Sequence, residues 1–347
     1  TTAVTLSSES IDATKPTITG VTVADGTYKI GDTATVTITA GNSETGLTVS
    51  SATFNGQTLS SLTDAGGGSY TGVYTVVEGN TDVADGGAAV VSLAFTDAAG
   101  NISATTTSVT LSSESIDATK PTISAVSIAD SAMNIGDVVT ATITVGNAVG
   151  QVLTLSSGTI GGFTLGSLAR VSDTSYTATF TVTDGGTDVA AGADIPVSLI
   201  LADPAGNTSA TYSTAISQAA DSIDANAPTI TGVTVADGTY KIGDTATVTI
   251  TASNSETGLT VSSATFNGQT LSSLTDAGGG SYTGVYTVVE GNTDVADGGA
   301  AVVSLAFTDA AGNVGATTTA VTLSSESIDA TKPGAPSNSP DLAGSSD

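Results

Sequence analysis

Apolar and polar residues alternate along this chain in short runs. In TATVTIT, Ala34, Val36 and Ile38 fall on one side and the threonines on the other, the period of two that marks a half-buried strand. SYTGVYTVV and AVVSLAF follow the same rule, and clusters of Gly, Asp and Asn separate the runs, as turns require. The pattern predicts strands over 18–23, 34–40, 49–54, 57–62, 70–77, 88–95 and 104–111. No stretch sustains a helical apolar period, so the expectation is an all-β chain.

The pattern then repeats. SSESIDATKP occupies 7–16, 112–121 and 324–333, and a variant, DSIDANAP, ends at Pro228. Residues 16–101 recur at 228–313 with one change, Gly41 to Ser253, while the middle copy has diverged. The expected division is 1–11 as the last strand of a truncated preceding repeat, then repeats at 12–116, 117–223 and 224–329. A Pro/Ser/Gly tail over 330–347 is expected to be disordered. A unit of this length is too long for a solenoid repeat and right for a self-contained domain. Seven short strands per unit point to tandem immunoglobulin-like β-sandwich domains, arranged end to end as an extended rod.

Composition narrows the functional classes. The 347 residues carry 33 acidic and 6 basic side chains, a net charge of −27, with no Cys and no His. Such a chain repels phosphate backbones and anionic lipid, which argues against nucleic acid and direct membrane contact. Disulfides, thiol catalysis, histidine mechanisms and the usual zinc or copper ligand sets are absent. The acids avoid the strand faces, where Thr and Ser prevail, and gather in loops and linkers.

Which acids persist between copies is informative, because turn-formers and ligands differ in what they tolerate. In the linker, Glu9 and Asp12 become Glu114 and Asp117, then Asp221 and Asp224, then Glu326 and Asp329. After the first strand, Asp25 and Asp32 become Asp130 and Asp137, then Asp237 and Asp244. In EGNTDVADGG, Glu78 and Asp82 match Asp184 and Asp188, then Glu290 and Asp294. In TDAAGN, Asp97 and Asn101 match Asp203 and Asn207, then Asp309 and Asn313. If the strands alternate up and down, Asp25, Asp32, Glu78 and Asp82 meet linker residues Glu114 and Asp117, with Asp203 and Asn207 facing them from the next unit. So many carboxylates in a partly desolvated junction repel one another unless a cation intervenes. Oxygen donors in this number, with no nitrogen or sulfur donor, fit calcium ions better than magnesium. The competing reading makes each Asp an ordinary turn-former.

IDATKP and IDANAP, each followed by a β unit with TDAAGN or its variant before the last strand, resemble the bacterial immunoglobulin-like extender repeats of giant secreted RTX-type surface adhesins. The linker is also similar to the calcium-binding linker of cadherins, with one acidic cluster, ESID, in place of a double Asp-Asn set. The resemblance implies a secreted, extracellular protein of the bacterial cell surface, active in adhesion or biofilm formation. In it, calcium-stiffened repeats would project a distal ligand-binding region away from the cell. Expected partners are the neighbouring repeats of the same monomeric chain; the distal ligand is unknown. An adhesive module that itself binds a glycan or protein is the alternative. Tyr28, Tyr74 and Tyr240 read as sandwich packing rather than sugar platforms. An enzyme is not expected, since the acids lie at junctions and the units are near-copies.

Overall fold

The computed structural model describes residues 3–5, 8, 10–217, 221–253 and 257–334. In the first unit, β1 (Ile18–Val23), β3 (Thr33–Ala40), β7 (Ser69–Thr75) and β6 (Ser60–Gly66) form one antiparallel sheet in the order β1-β3-β7-β6. β5 (Gln57–Thr58), β4 (Thr48–Phe54), β8 (Ala88–Thr96) and β9 (Ile102–Thr110) form the second, in the order β5-β4-β8-β9. The alternation seen in sequence sends Ala34, Val36, Ile38, Tyr70 and Tyr74 of one sheet against Phe54, Val91, Leu93 and Phe95 of the other, all buried. Ring pairs tie the layers: Phe54 meets Tyr74 edge-on at 4.9 Å, and Tyr70 meets Phe95 at 4.8 Å. Among the described residues there is no α-helix, and a 3-10 turn spans Gly41–Ser43.

Three details differ from the sequence expectation. The run 57–62 divides between the two sheets, because the chain crosses over at Leu59. Two further strands form, β2 (Gly26–Lys29) and β10 (Glu114–Asp117), and they pair in parallel in register Glu114↔Gly26 to Asp117↔Lys29. Four residues carry too little alternation to announce a strand, and the acids of ESID look like linker. Burial of Ile116 and Ala118 in the first core explains why that segment is held. The Tyr28 hydroxyl donates to the Ala24 carbonyl at 2.7 Å, folding its ring over Gly26 at the start of β2.

The third unit repeats the first, with sheets of the same order and a parallel pair between Gly238–Lys241 and Glu326–Asp329. The middle unit keeps the four-stranded sheet (Thr122–Ser127, Val138–Gly146, Ala169–Ser172 and Ser175–Thr181) but is looser opposite it. Its second sheet has three strands, and the segment after Asn207 meets Val197–Ala202 through the isolated bridges Ala202↔Thr208 and Leu199↔Tyr212 and through Ser209, whose amide donates to the Leu201 carbonyl at 2.8 Å and whose hydroxyl accepts the Leu201 amide at 3.0 Å. Its parallel pair is shortened to Met133↔Ile223 and Asn134↔Asp224. No helix among the described residues is long and apolar enough to cross a membrane.

Candidate functional site

The junctions are built by turns first. In the loop before the last strand, Asp203 Oδ1 accepts the Gly206 and Asn207 amides at 2.8 Å, and Oδ2 accepts Asn207 Nδ2 at 3.0 Å. This closed turn aims the Asn207 amide at the preceding unit, since Asp203 and Asn207 are both buried. Asn207 Nδ2 donates to the Asp117 carbonyl at 3.1 Å and to its Oδ1 at 3.2 Å, while Asn207 Oδ1 accepts the Ile30 amide at 2.9 Å. One asparagine therefore joins three places: its own turn, the linker, and the loop after β2 of the unit before. The second junction repeats the clasp. Asn313 Nδ2 reaches the Asp224 carbonyl and Oδ1, at 3.3 and 2.8 Å, and Asn313 Oδ1 accepts the Ile135 amide at 2.8 Å. In the first unit Asn101 Nδ2 likewise reaches the Asp12 carbonyl at 3.2 Å and Asp97 Oδ2 at 2.9 Å.

A second grip comes from the EGNTD loop. Asp82 Oδ1 accepts the Ala118 amide at 2.6 Å, and Gly79 N donates to the Ala118 carbonyl at 3.1 Å. Asp188 holds Ala225 and Asp294 holds Ala330 in the same way, at 2.8 and 2.6 Å. Asp82 and Asp203 thereby come within electrostatic reach of Asp117. Burial first, then the charges of Asp203 and Asp82, push the Asp117 carboxyl above its ordinary pKa, against the opposing amide of Thr119. Asp224 is raised likewise by burial and by Asp309 and Asp188.

The remaining candidates fall elsewhere. Asp32, Asp137 and Asp244 close the turn after the short second strand, accepting the amides of Lys29, Asn134 and Lys241 at 3.0, 2.9 and 3.1 Å. The Asp244 carboxyl is held below its usual range by that amide and by Lys241. Glu114 and Glu326 are buried and fold back on the amides of Ser112 and Ser113, and of Ser324 and Ser325. Asp221, also buried, has an Oδ1 without a hydrogen-bond partner. Glu78 pairs with Lys120 at 2.6 Å and Glu290 with Lys332. Asp184 accepts the Ala227 amide at 3.2 Å, and Asp329 accepts the Thr331 amide at 3.2 Å. Asp25, Asp130 and Asp237 are exposed on the loop after the first strand. Glu9 lies outside the described residues, as do residues 335–347.

Sequence reasoning did not single out Gln151, Lys29 or the Ile30 amide. Gln151 Nε2 donates to Asp117 Oδ2 at 3.2 Å, and its buried Oε1 has no partner. It sits beside Gly150 where the middle unit is one residue longer, the only signal that could have found it. One buried oxygen beside Asp117, Gln151 Oε1, is free, a chemistry that suits a hard divalent cation, while both Asp117 carboxylate oxygens already accept amide N–H groups. Yet among the described residues no group of three or more acidic side chains is gathered closely enough to hold one ion.

A model of the bacterial Ig-like domain matches residues 12–113, 117–220 and 224–325. The chain belongs to that family. Its three tandem Ig-like domains account for the paired sheets of each unit. The I-band fragment I67-I69 of titin is similar over 92% of this chain and 100% of its own, at 11% identity and a TM-score of 0.33. A 1.5-MDa bacterial ice-binding adhesin matches 92% of this chain and 99% of its own, at 20% identity and a TM-score of 0.30. A Ca2+-stabilized adhesin that helps an Antarctic bacterium reach out and bind ice matches 91% of this chain and 75% of its own, at 21% identity and a TM-score of 0.33. These likenesses carry no functional argument. No curated protein sequence matches the chain.

Proposed function

We propose that this chain is a stretch of the structural extender of a large bacterial cell-surface adhesin, in which the junctions hold successive Ig-like domains at a set angle. The observation that carries the reading is the clasp repeated at both junctions: Asn207 bridging Ile30 and Asp117, and Asn313 bridging Ile135 and Asp224. A ligand-binding module needs one specialised face, whereas here the chemistry recurs where domains meet. Family membership and the IDATKP linker support placing the array outside the cell.

Calcium belongs to the same reading. At the first junction Asp82, Asp117, Asp203 and Gln151 Oε1, and at the second Asp188, Asp224 and Asp309, would have to draw closer together to hold it, since as they stand no three acids among the described residues reach one ion. Bound calcium supplies the positive charge that offsets repulsion among these carboxylates. Without it, the asparagine clasps must hold the domains against that repulsion. Small-angle scattering tests this: the maximum dimension should be larger and better defined with millimolar calcium than with chelator. The same dimension in both would sink the stiffening role. Binding of the isolated chain on a glycan array would instead favour the adhesive alternative.

A further inference from the structure

We propose that the middle unit is the yielding element of the array, giving way under tension before its neighbours. Tension along the chain enters the first unit through β1 and β2 and leaves through β10. Because β2 and β10 are parallel, pulling the ends apart slides one strand along the other and loads all their rungs together. An antiparallel pair at that position would open one rung at a time. The parallel pair is therefore a latch, four rungs long in the first and third units. In the middle unit it has two.

The sequence explains the loss. GTYK, with Tyr28 folded over Gly26, is replaced by Ser131, Ala132, Met133 and Asn134. Ser131 and Ala132 stand opposite Asp221 and Ser222 without pairing. Beside the two remaining rungs, Met133↔Ile223 and Asn134↔Asp224, a cleft of about 520 Å³ lies open towards the third unit, whose Ala310 and Ala311 also line it. The exit side is weakened independently. In the first unit the last two long strands share nine paired residues, from Ala88↔Thr110 to Thr96↔Ile102. The corresponding segment of the middle unit is held by isolated bridges. Both the latch and the strand that feeds it are thus thinnest in the same unit. The purpose of a yielding unit rests on the extender reading, but the order of yielding is a property of the three units themselves.

Single-molecule pulling of the full chain, in chelator so that calcium plays no part, reads this directly. One rupture in three should form a separate class at roughly half the force of the others, in proportion to two rungs against four. The variant S131G/A132T/M133Y/N134K should move that class up towards the other two. A single force class in the unaltered chain would overturn the proposal, as would a low class that persists in the folded variant. Hydrogen exchange on the unaltered chain gives a second reading should the variant fail to fold. Amides of 222–224 should exchange about tenfold faster than those of 115–117 and 327–329, as local opening costs less there. Equal protection would equally overturn it.

Discussion

The two junctions share one clasp and differ in charge. At the first, Lys120 pairs with Glu78, and the Lys29 stem lies so close over Gly206 that a methyl group added there would meet its Cδ at 3.5 Å. At the second, Asn134 and Ala227 stand where those lysines would be, and Asn134 Nδ2 donates to the Ala311 carbonyl at 3.1 Å instead. Each junction gathers three aspartates, so the second carries the same repulsion with two fewer cations beside it. The comparison separates two jobs that the sequence had merged. Asparagine and backbone amides set the geometry at both places, and the lysine ion pair of the first, Lys120 with Glu78, has no counterpart at the second.

The largest effect is expected at the clasp that both junctions share. Asn313→Asp places a third carboxylate against Asp224 and Asp309 and removes the donor that reaches them. Thermal unfolding should fall markedly in chelator and recover with calcium. Asn207→Ala and Asn313→Ala each leave a partly buried amide, Ile30 or Ile135, without its acceptor, at a cost of about 1 kcal/mol. The two losses should be alike, because the clasp is alike. Protection of those two amides in hydrogen exchange checks it.

Gly315 distinguishes the second junction further. A Cβ there would overlap the Pro228 carbonyl oxygen, whereas the first two units carry Ser103 and Ser209 at this place. Gly315→Ser should therefore force the linker aside, costing about 1–3 kcal/mol by overpacking. Ser103→Gly should change the melting temperature far less. Restoring the missing cations, Asn134→Lys with Ala227→Lys, should shrink the gain in melting temperature that calcium gives. An undiminished calcium response would mean that the lysines of the first junction do not neutralise its acids.

The smallest effect lies away from the junctions, at a turn that the first and third units share. Asp64 accepts the Gly46 and Gly66 amides, and Asp276 those of Gly258 and Gly278, which holds both carboxyls below their usual range. A carboxyl with a lowered folded pKa stabilises the fold above its unfolded value near 3.8 and loses that contribution as pH falls through the folded value. Asp64→Asn with Asp276→Asn should flatten the acid limb of a stability-against-pH curve. A limb of unchanged steepness would count against these hydrogen bonds.

How much of this was legible in the sequence follows from what each feature depends on. The sandwich strands were readable because Val36, Ile38, Tyr70 and Tyr74 obey a strict period of two and are buried. The latch was not, since Gly26–Lys29 and Glu114–Asp117 acquire strand character only by pairing across more than eighty residues. The junction acids stand out because they persist between copies, and the structure sets Asp82 and Asp203 within electrostatic reach of Asp117 there. It gives Asp32, Asp97 and Glu114 hydrogen bonds to turn amides. A carboxylate that closes a turn and one that faces a neighbouring domain recur equally well between copies, so persistence alone could not sort them. In the sequence the asparagine counts as one more oxygen donor beside the acids. Its use of both amide ends across two domains depends on the Ile30 backbone, which leaves no trace in residue type.

Because the chain has no cysteine, spin labels can be placed at will. Val90, Val171 and Val302 are exposed, one in each unit. Pairs made by Val90→Cys with Val171→Cys, and by Val171→Cys with Val302→Cys, report each junction separately through the width of the distance distribution. Both distributions should be narrow with calcium and broaden with chelator, the second junction more than the first. Widths that do not change with calcium at either junction would contradict calcium-stiffened extension.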